Sequence, residues 1–166
     1  MFHRQLRNSL LAASIGLSTI LGSSPGAQAS APPGLDREML ALLNSARQSA
    51  GLPALAPEPR LSQIAQIRAD QVLKQASLQH TDNAGRLIFA DLLGASGVSF
   101  SLAAENLAEN NYPPNQTASA ANAALLSSPS HAENILNRDF NAVGVAASGP
   151  GPDNRYYFAE IFAQLR

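Results

Sequence analysis

The 166-residue chain contains no cysteine. That excludes disulfides, a cysteine-borne lipid and a thiolate zinc site together, so packing alone must hold the fold. Basic runs are missing too: the 11 Lys and Arg are scattered singly, with no aromatics interleaved. Nothing in that pattern prepares a polyanion groove, and nucleic acid is not an expected partner. The sequence also lacks G-x-S-x-G and S-x-x-K, and most of its serines fall in turns and caps. A serine nucleophile is therefore disfavoured. After the first apolar run no second one is long enough to cross a bilayer, so no transmembrane anchor is expected once that run is removed.

What is present begins with an export signal. His3, Arg4 and Arg7 precede the apolar stretch Leu10 to Leu21, and the small-residue pattern "AQA" follows at 27–29. Such a segment is processed and not folded, so residues 1–29 are set aside. Cleavage after Ala29 leaves 137 of the 166 residues, one domain's worth of chain. Its charge is about −3, because two of the 11 cations and none of the 12 acids lie in the signal. An exported, cysteine-free chain suits a bacterial secreted or periplasmic protein better than a disulfide-framed one.

Residues 30–34, "SAPPG", read as a short flexible leader, and the domain runs over 35–166. Met39, Leu40, Leu43 and Ala46 recur at helical spacing over 36–50, with Gly51 placed to close the helix in a left-handed cap. "LPALAPEP" then blocks both helix and central strand until Pro59 opens a second helix to about Gln75. Its stripe of Leu61, Ile64, Ala65, Ala69, Val72 and Leu73 should bury against a sheet. "RLIFADLLGASG" predicts a shorter helix ended by glycines, and "SLAAENLAEN" reads as strand or extended chain around Glu105, a helical turn being the alternative. Alanine-rich 117–126 and then 130–136 predict two more helices. The period then changes to two: "AVGVAAS" and "RYYFAEIFA", joined by "GPGPDN", predict an antiparallel hairpin. Helices first and a hairpin last, without a βαβ repeat, indicate an α+β domain whose sheet is covered by helices.

The chemistry-bearing residues are few. In "SSPSHAENIL" Ser130 and Glu133 have capping-box spacing, which gives them a structural role. His131 has no part in that box; in the first helical turn the helix dipole would keep its ring neutral, as a metal or a proton donor requires, although packing alone would also explain a single histidine. His80 is the one other histidine beyond the signal, 51 positions away, so no local metal motif exists and a joint site must come from the fold. Glu105 is flanked by alanine and leucine, where a carboxylate needs a partner. It could complete a zinc site with His80 and His131, leaving a position for water, or hold one imidazole by hydrogen bond. Glu160 should share a strand face with Phe158 and Phe162, either at a sheet edge or paired with Arg155 or Arg166. Asn115 to Thr117 matches a glycosylation acceptor, read as chance beside a bacterial-type signal.

In order along the chain, "LLNSARQSAGLPAL", "LQHT", "AENLA", "SSPSHAENIL", "NAVGVAAS" and "YYFAEIFAQ" resemble the motifs of the CAP superfamily, or SCP-domain proteins, in its bacterial secreted branch. The resemblance spans nearly all of residues 35–166. It implies an α-β-α sandwich, helices packed on a small, mainly antiparallel sheet, with a polar cleft at His80, Glu105 and His131. A divalent metal such as zinc is implied as a cofactor of some members, while others bind lipids or act through partners. Departures lie mostly at the cleft rim: Ala132 stands where arginine is usual, Glu160 where glutamine is usual, and tryptophans are replaced near Leu125, Leu126 and Phe158. Three functions follow as expectations: an exported module binding a metal or small ligand in that cleft, a zinc hydrolase of peptide or cell-wall material with Glu105 as base or ligand, or a purely structural interaction protein that makes no use of the cleft.

Overall fold

A computed structural model describes residues 31–151 and 153–166. The signal read over residues 1–29 lies outside them, as does Ser30 of the leader. The domain comprises α1 (Leu35–Ser49), β1 (Ala56–Pro57), α2 (Pro59–Gln75), α3 (Ile88–Ala95), β2 (Phe100–Asn110), α4 (Pro114–Ser127), α5 (Pro129–Ile135), β3 (Ala142–Ser148) and β4 (Tyr156–Leu165). The sheet order is β1-β3-β4-β2, with β4 antiparallel to both β2 and β3 and only β1 parallel to its neighbour. Among the described residues no helix is long and apolar enough to cross a membrane.

α1 ends as its sequence predicts. Gly51 takes φ 74°, the Gly51 N–H reaches the Gln48 carbonyl at 3.0 Å and the Leu52 N–H reaches that of Arg47 at 2.9 Å. This paired closure needs a left-handed residue that only glycine adopts cheaply. Glu58 caps α2 by accepting from the Leu61 N–H at 2.8 Å, and Pro59 occupies the first turn. The proline-rich link cannot enter the middle of a sheet, and its residues Ala56 and Pro57 form a two-residue edge strand instead.

Two readings are corrected. α4 starts at Pro114, three residues before Thr117, because proline is suited to the first turn. The capping box is absent: with Pro129 at the first helical position, the cap of α5 is Ser128 and it makes no side-chain cap hydrogen bond. Ser130 is already inside the helix, so it cannot serve as the cap. The stretch around Glu105 is strand, an 11-residue one, and no helical turn.

The pleat of the sheet separates two cores. Met39, Leu43, Ala118, Leu125, Ile135, Val143, Val145, Phe158 and Phe162 pack between the sheet and α1, α4 and α5. Leu61, Ile64, Ala69, Val72, Leu107, Ala146, Ala159 and Ile161 pack between the other face and α2 and α3. The result is a three-layer α-β-α sandwich. Arg47, wholly buried, ties the first core together: it donates to the carbonyls of Pro53 (2.9 Å), Ile135 (2.7 Å) and Asn137 (2.8 Å). The second layer is seated by Gly144, where the backbone of α2 lies directly on β3. A Cβ there would overlap the Leu61 carbonyl and the Ser62 nitrogen.

Gly144→Ala should therefore push α2 off the sheet and cost about 3 kcal/mol, the upper end for overpacking, read as a lowered urea midpoint. Arg47→Met preserves volume but strands three carbonyls; a loss of similar size, about 3 kcal/mol, is expected from the same measurement. An Arg47→Met protein as stable as the wild type would show that those carbonyls find other donors.

Candidate functional site

The site is built on two consecutive residues of β2. Strand side chains alternate between faces, so Glu105, paired with Ile161, points toward α2, and Asn106, paired with Glu160, points toward α5. β2 is an edge strand, and groups from both layers can approach each other beside it.

On the α2 side, the Glu105 carboxylate is fully buried and fully engaged. Oε1 accepts from Arg68 Nε at 2.6 Å; Oε2 accepts from Arg68 Nη2 at 3.3 Å and faces His80 Nδ1 at 2.7 Å. Arg68 is itself buried, and its remaining donors go to Gln71 Oε1 (2.7 Å) and the Gln79 carbonyl (2.5 Å). A carboxylate against a guanidinium can only accept, so the proton between it and His80 belongs on Nδ1. That leaves the Nε2 lone pair of His80, whose side chain is 39% exposed, as the acceptor or ligand atom.

On the other side, Asn106 Nδ2 donates to the His131 carbonyl at 3.2 Å and to Glu160 Oε2 at 2.9 Å, while its Oδ1 accepts from Asn134 Nδ2 at 2.9 Å. Three elements are thus knitted together: α5, β2 and β4. The His131 pKa is lowered from its usual value, first by desolvation and second by the charge of nearby His80. The direction favours the neutral ring, and its causes are burial and the second histidine where the sequence pointed to the helix dipole. Glu160 is completely buried; burial raises its pKa to about 7, with the Asn106 hydrogen bond acting the other way, and its Oε1 has no hydrogen-bond partner among the described residues. It lies on the face of Phe158 and Phe162 as expected, yet in the sheet interior and without Arg155 or Arg166: Arg155 pairs with Glu109 and Asp153.

His80, Glu105 and His131 are therefore brought to one edge of the sheet, but not as three equivalent ligands. Among the described residues no group of three or more His, Asp or Glu side chains is arranged to hold a metal ion. A zinc site needs three protein ligands and an open position for hydrolysis, and here the carboxylate of Glu105 is taken by Arg68. A separate cavity of about 460 Å³, lined by Pro32, Asp36, Gln66, Asp70 and Ser148 among others, includes neither histidine. Its polar groups satisfy each other: Gln66 donates to Asp70 and Ser148, and Ser148 to Asp70.

Arg68, Asn106 and Asn134 escape the sequence reading. Position 68 falls within the buried stripe 61, 64, 65, 69, 72 of α2, and an arginine on an apolar face is a signal that an acid must meet it. The asparagines carry no comparable signal, since a short amide in a strand or helix reads as surface.

Comparison with known proteins agrees with this architecture. A Bacillus subtilis protein, YkwD, itself uncharacterized, is 28% identical over 110 residues, 66% of this chain and 41% of its own length. The chain thus spans well under half of that relative. An outer surface protein of Borrelia burgdorferi superposes with a TM-score of 0.68 at 22% identity, covering 81% of this chain and 95% of its own. An extracellular SCP-domain protein of Bacillus anthracis gives 0.66 at 24% identity, covering 79% of this chain and 40% of its own. The family model of the cysteine-rich secretory proteins, CAP, matches residues 40–162. With that match over most of the chain and the α-β-α sandwich around the histidine-lined edge, the protein belongs to the CAP family of cysteine-rich secretory proteins.

Proposed function

We propose that this protein is an exported binding module whose ligand is met by the imidazoles of His80 and His131, with Glu105 as the group that aims His80. One observation carries the reading: both oxygens of Glu105 are already committed to Arg68 and His80. A carboxylate in that state orients an imidazole and raises its basicity, as carboxylates behind metal-binding or ligand-binding histidines do. It is poorly placed to act as a base toward water, which counts against the hydrolase. Export is supported by the signal-like residues 1–29 and by relatives described as outer surface and extracellular proteins.

A divalent cation is the simplest ligand two neutral imidazoles accept, with water completing its shell; small polar ligands that donate hydrogen bonds are the alternative. Desolvation keeps His131 unprotonated below the usual histidine range. Binding should accordingly be lost on acidification, and His131 should stay unprotonated to lower pH than an ordinary histidine.

Zn²⁺ titration by calorimetry tests the reading. One ion should bind, and His80→Ala or His131→Ala should each weaken it by at least about tenfold. Glu105→Gln retains an acceptor for His80 but weakens its support, so a smaller loss is expected, with KD for zinc rising by about tenfold or less. Binding untouched by both histidine substitutions would remove the cation from the proposal. Zinc binding lost in Glu105→Gln as completely as in the histidine variants, with the fold retained, would make the carboxylate a ligand and revive the hydrolase.

A further inference from the structure

Glu160 takes no part in the proposed ligand contacts, yet it is an unusual group: a carboxylic acid with 0% exposure and, among the described residues, one hydrogen bond and no ion pair. Its surroundings hold nothing to neutralise it. β3 and α4 carry no ionisable side chain. On α1, Asp36, Arg37 and Glu38 are exposed, and Arg47 donates through Nε and Nη1 to the carbonyls of Pro53, Ile135 and Asn137, while its buried Nη2 has no hydrogen-bond partner and makes no ion pair with Glu160 among the described residues. On β2, Glu105 and Glu109 are met by Arg68 and Arg155. α5 brings His131 and Glu133, and β4 itself brings Tyr156 and Tyr157. No described cation pairs with Glu160, so its carboxyl responds to burial and to Asn106 alone.

That single hydrogen bond leads to the cleft. The two hydrogens of the Asn106 amide are divided between Glu160 Oε2 at 2.9 Å and the His131 carbonyl at 3.2 Å. A protonated Glu160 offers Asn106 an ordinary carbonyl-type acceptor. An ionised one offers a charge-assisted acceptor, roughly twice as strong, which draws the amide toward β4 and away from the already longer bond to α5. Ionisation also leaves a charge on Oε1 with no donor in reach, which only water entering beneath α5 could relieve.

We propose that Glu160 is a positioning residue of the cleft: its proton state sets, through Asn106, how firmly the first turn of α5, and with it His131, is held. The inference rests on the reading of His131 as a ligand-contacting group, and it makes that group's placement depend on a proton bound elsewhere. Glutamine at this position would hold the same shape permanently in the neutral form.

The test reads the proton directly. In ¹³C-labelled protein the Glu160 side-chain carboxyl is followed by NMR from about pH 3 to about pH 9, a span bracketing both free glutamate and a buried one, in a His131→Ala background. That substitution deletes the ring's own titration but leaves the backbone carbonyl that Asn106 holds. The Glu160 carboxyl should titrate near 7, and the amides of residues 131–134 should shift with the same midpoint. In Glu160→Gln and in Asn106→Ala that midpoint should vanish from α5. A second readout uses stability. Because the folded pKa is raised above the usual value, the proton binds the native state more tightly, so stability is full below about pH 4.5 and falls as pH rises through about 7. The urea midpoint of the wild type relative to Glu160→Gln should decline over that window. A carboxyl already ionised at about pH 5, or α5 amides that ignore its midpoint, would overturn the proposal. None of these readouts needs a bound ligand, so failure of the zinc titration would leave this inference standing or falling on its own.

Discussion

Glu105 and Asn106 are adjacent in the chain, and the pleat of β2 sends their side chains to opposite faces of the sheet. Each then fixes one histidine: the carboxylate takes the His80 ring on the α2 side, and the amide takes the His131 backbone on the α5 side. A slip of one residue in the pairing of β2 with β4 would exchange the two and put the carboxylate against α5, where no cation waits. The placement of the two histidines thus depends on register, and register depends on the 10-residue β4, whose two faces are both buried by large side chains. The second layer is fixed just as rigidly, because α2 rests on the backbone of Gly144.

The electrostatics of the two faces differ for a physical reason. Glu105 is buried but paired on both oxygens, an arrangement that need not stabilise the fold more than apolar residues of equal volume would. Its visible consequence is geometric, since it settles which nitrogen of His80 is free. Glu160 is buried with one hydrogen bond, so its carboxyl shifts toward the neutral form instead of acquiring a counter-ion. One acid is spent on orienting a ring; the other remains able to take up and release a proton.

The lack of cysteine has a structural counterpart in Arg47. Three donated hydrogen bonds from one buried guanidinium join the end of α1, the link after it and the end of α5. A planar fork of donors suits several carbonyls at once, which an ammonium group would not. Packing and such cross-ties hold together segments far apart in sequence without a covalent bridge.

Periodicity and turn chemistry made most elements legible in advance: the amphipathic α1 and α2, the turn that joins β3 to β4 and the Gly51 closure depend on contacts within a few residues, whereas the strand through Glu105, for which the sequence also allowed a helical turn, is fixed by its pairing with β4. The ordered motifs likewise pointed to His80, Glu105 and His131 as one address. The capping box was misplaced because proline, a local competitor, moved the helix start by a residue or two. What only the tertiary structure decided is how those three residues stand to one another. That Arg68 claims Glu105, that Asn106 holds His131, and that Glu160 sits without a cation are consequences of side chains distant in sequence meeting across layers. Local propensity carries no information about which polar group a buried acid will find, and that choice determines whether it acts as a ligand, an orienting group or a proton store.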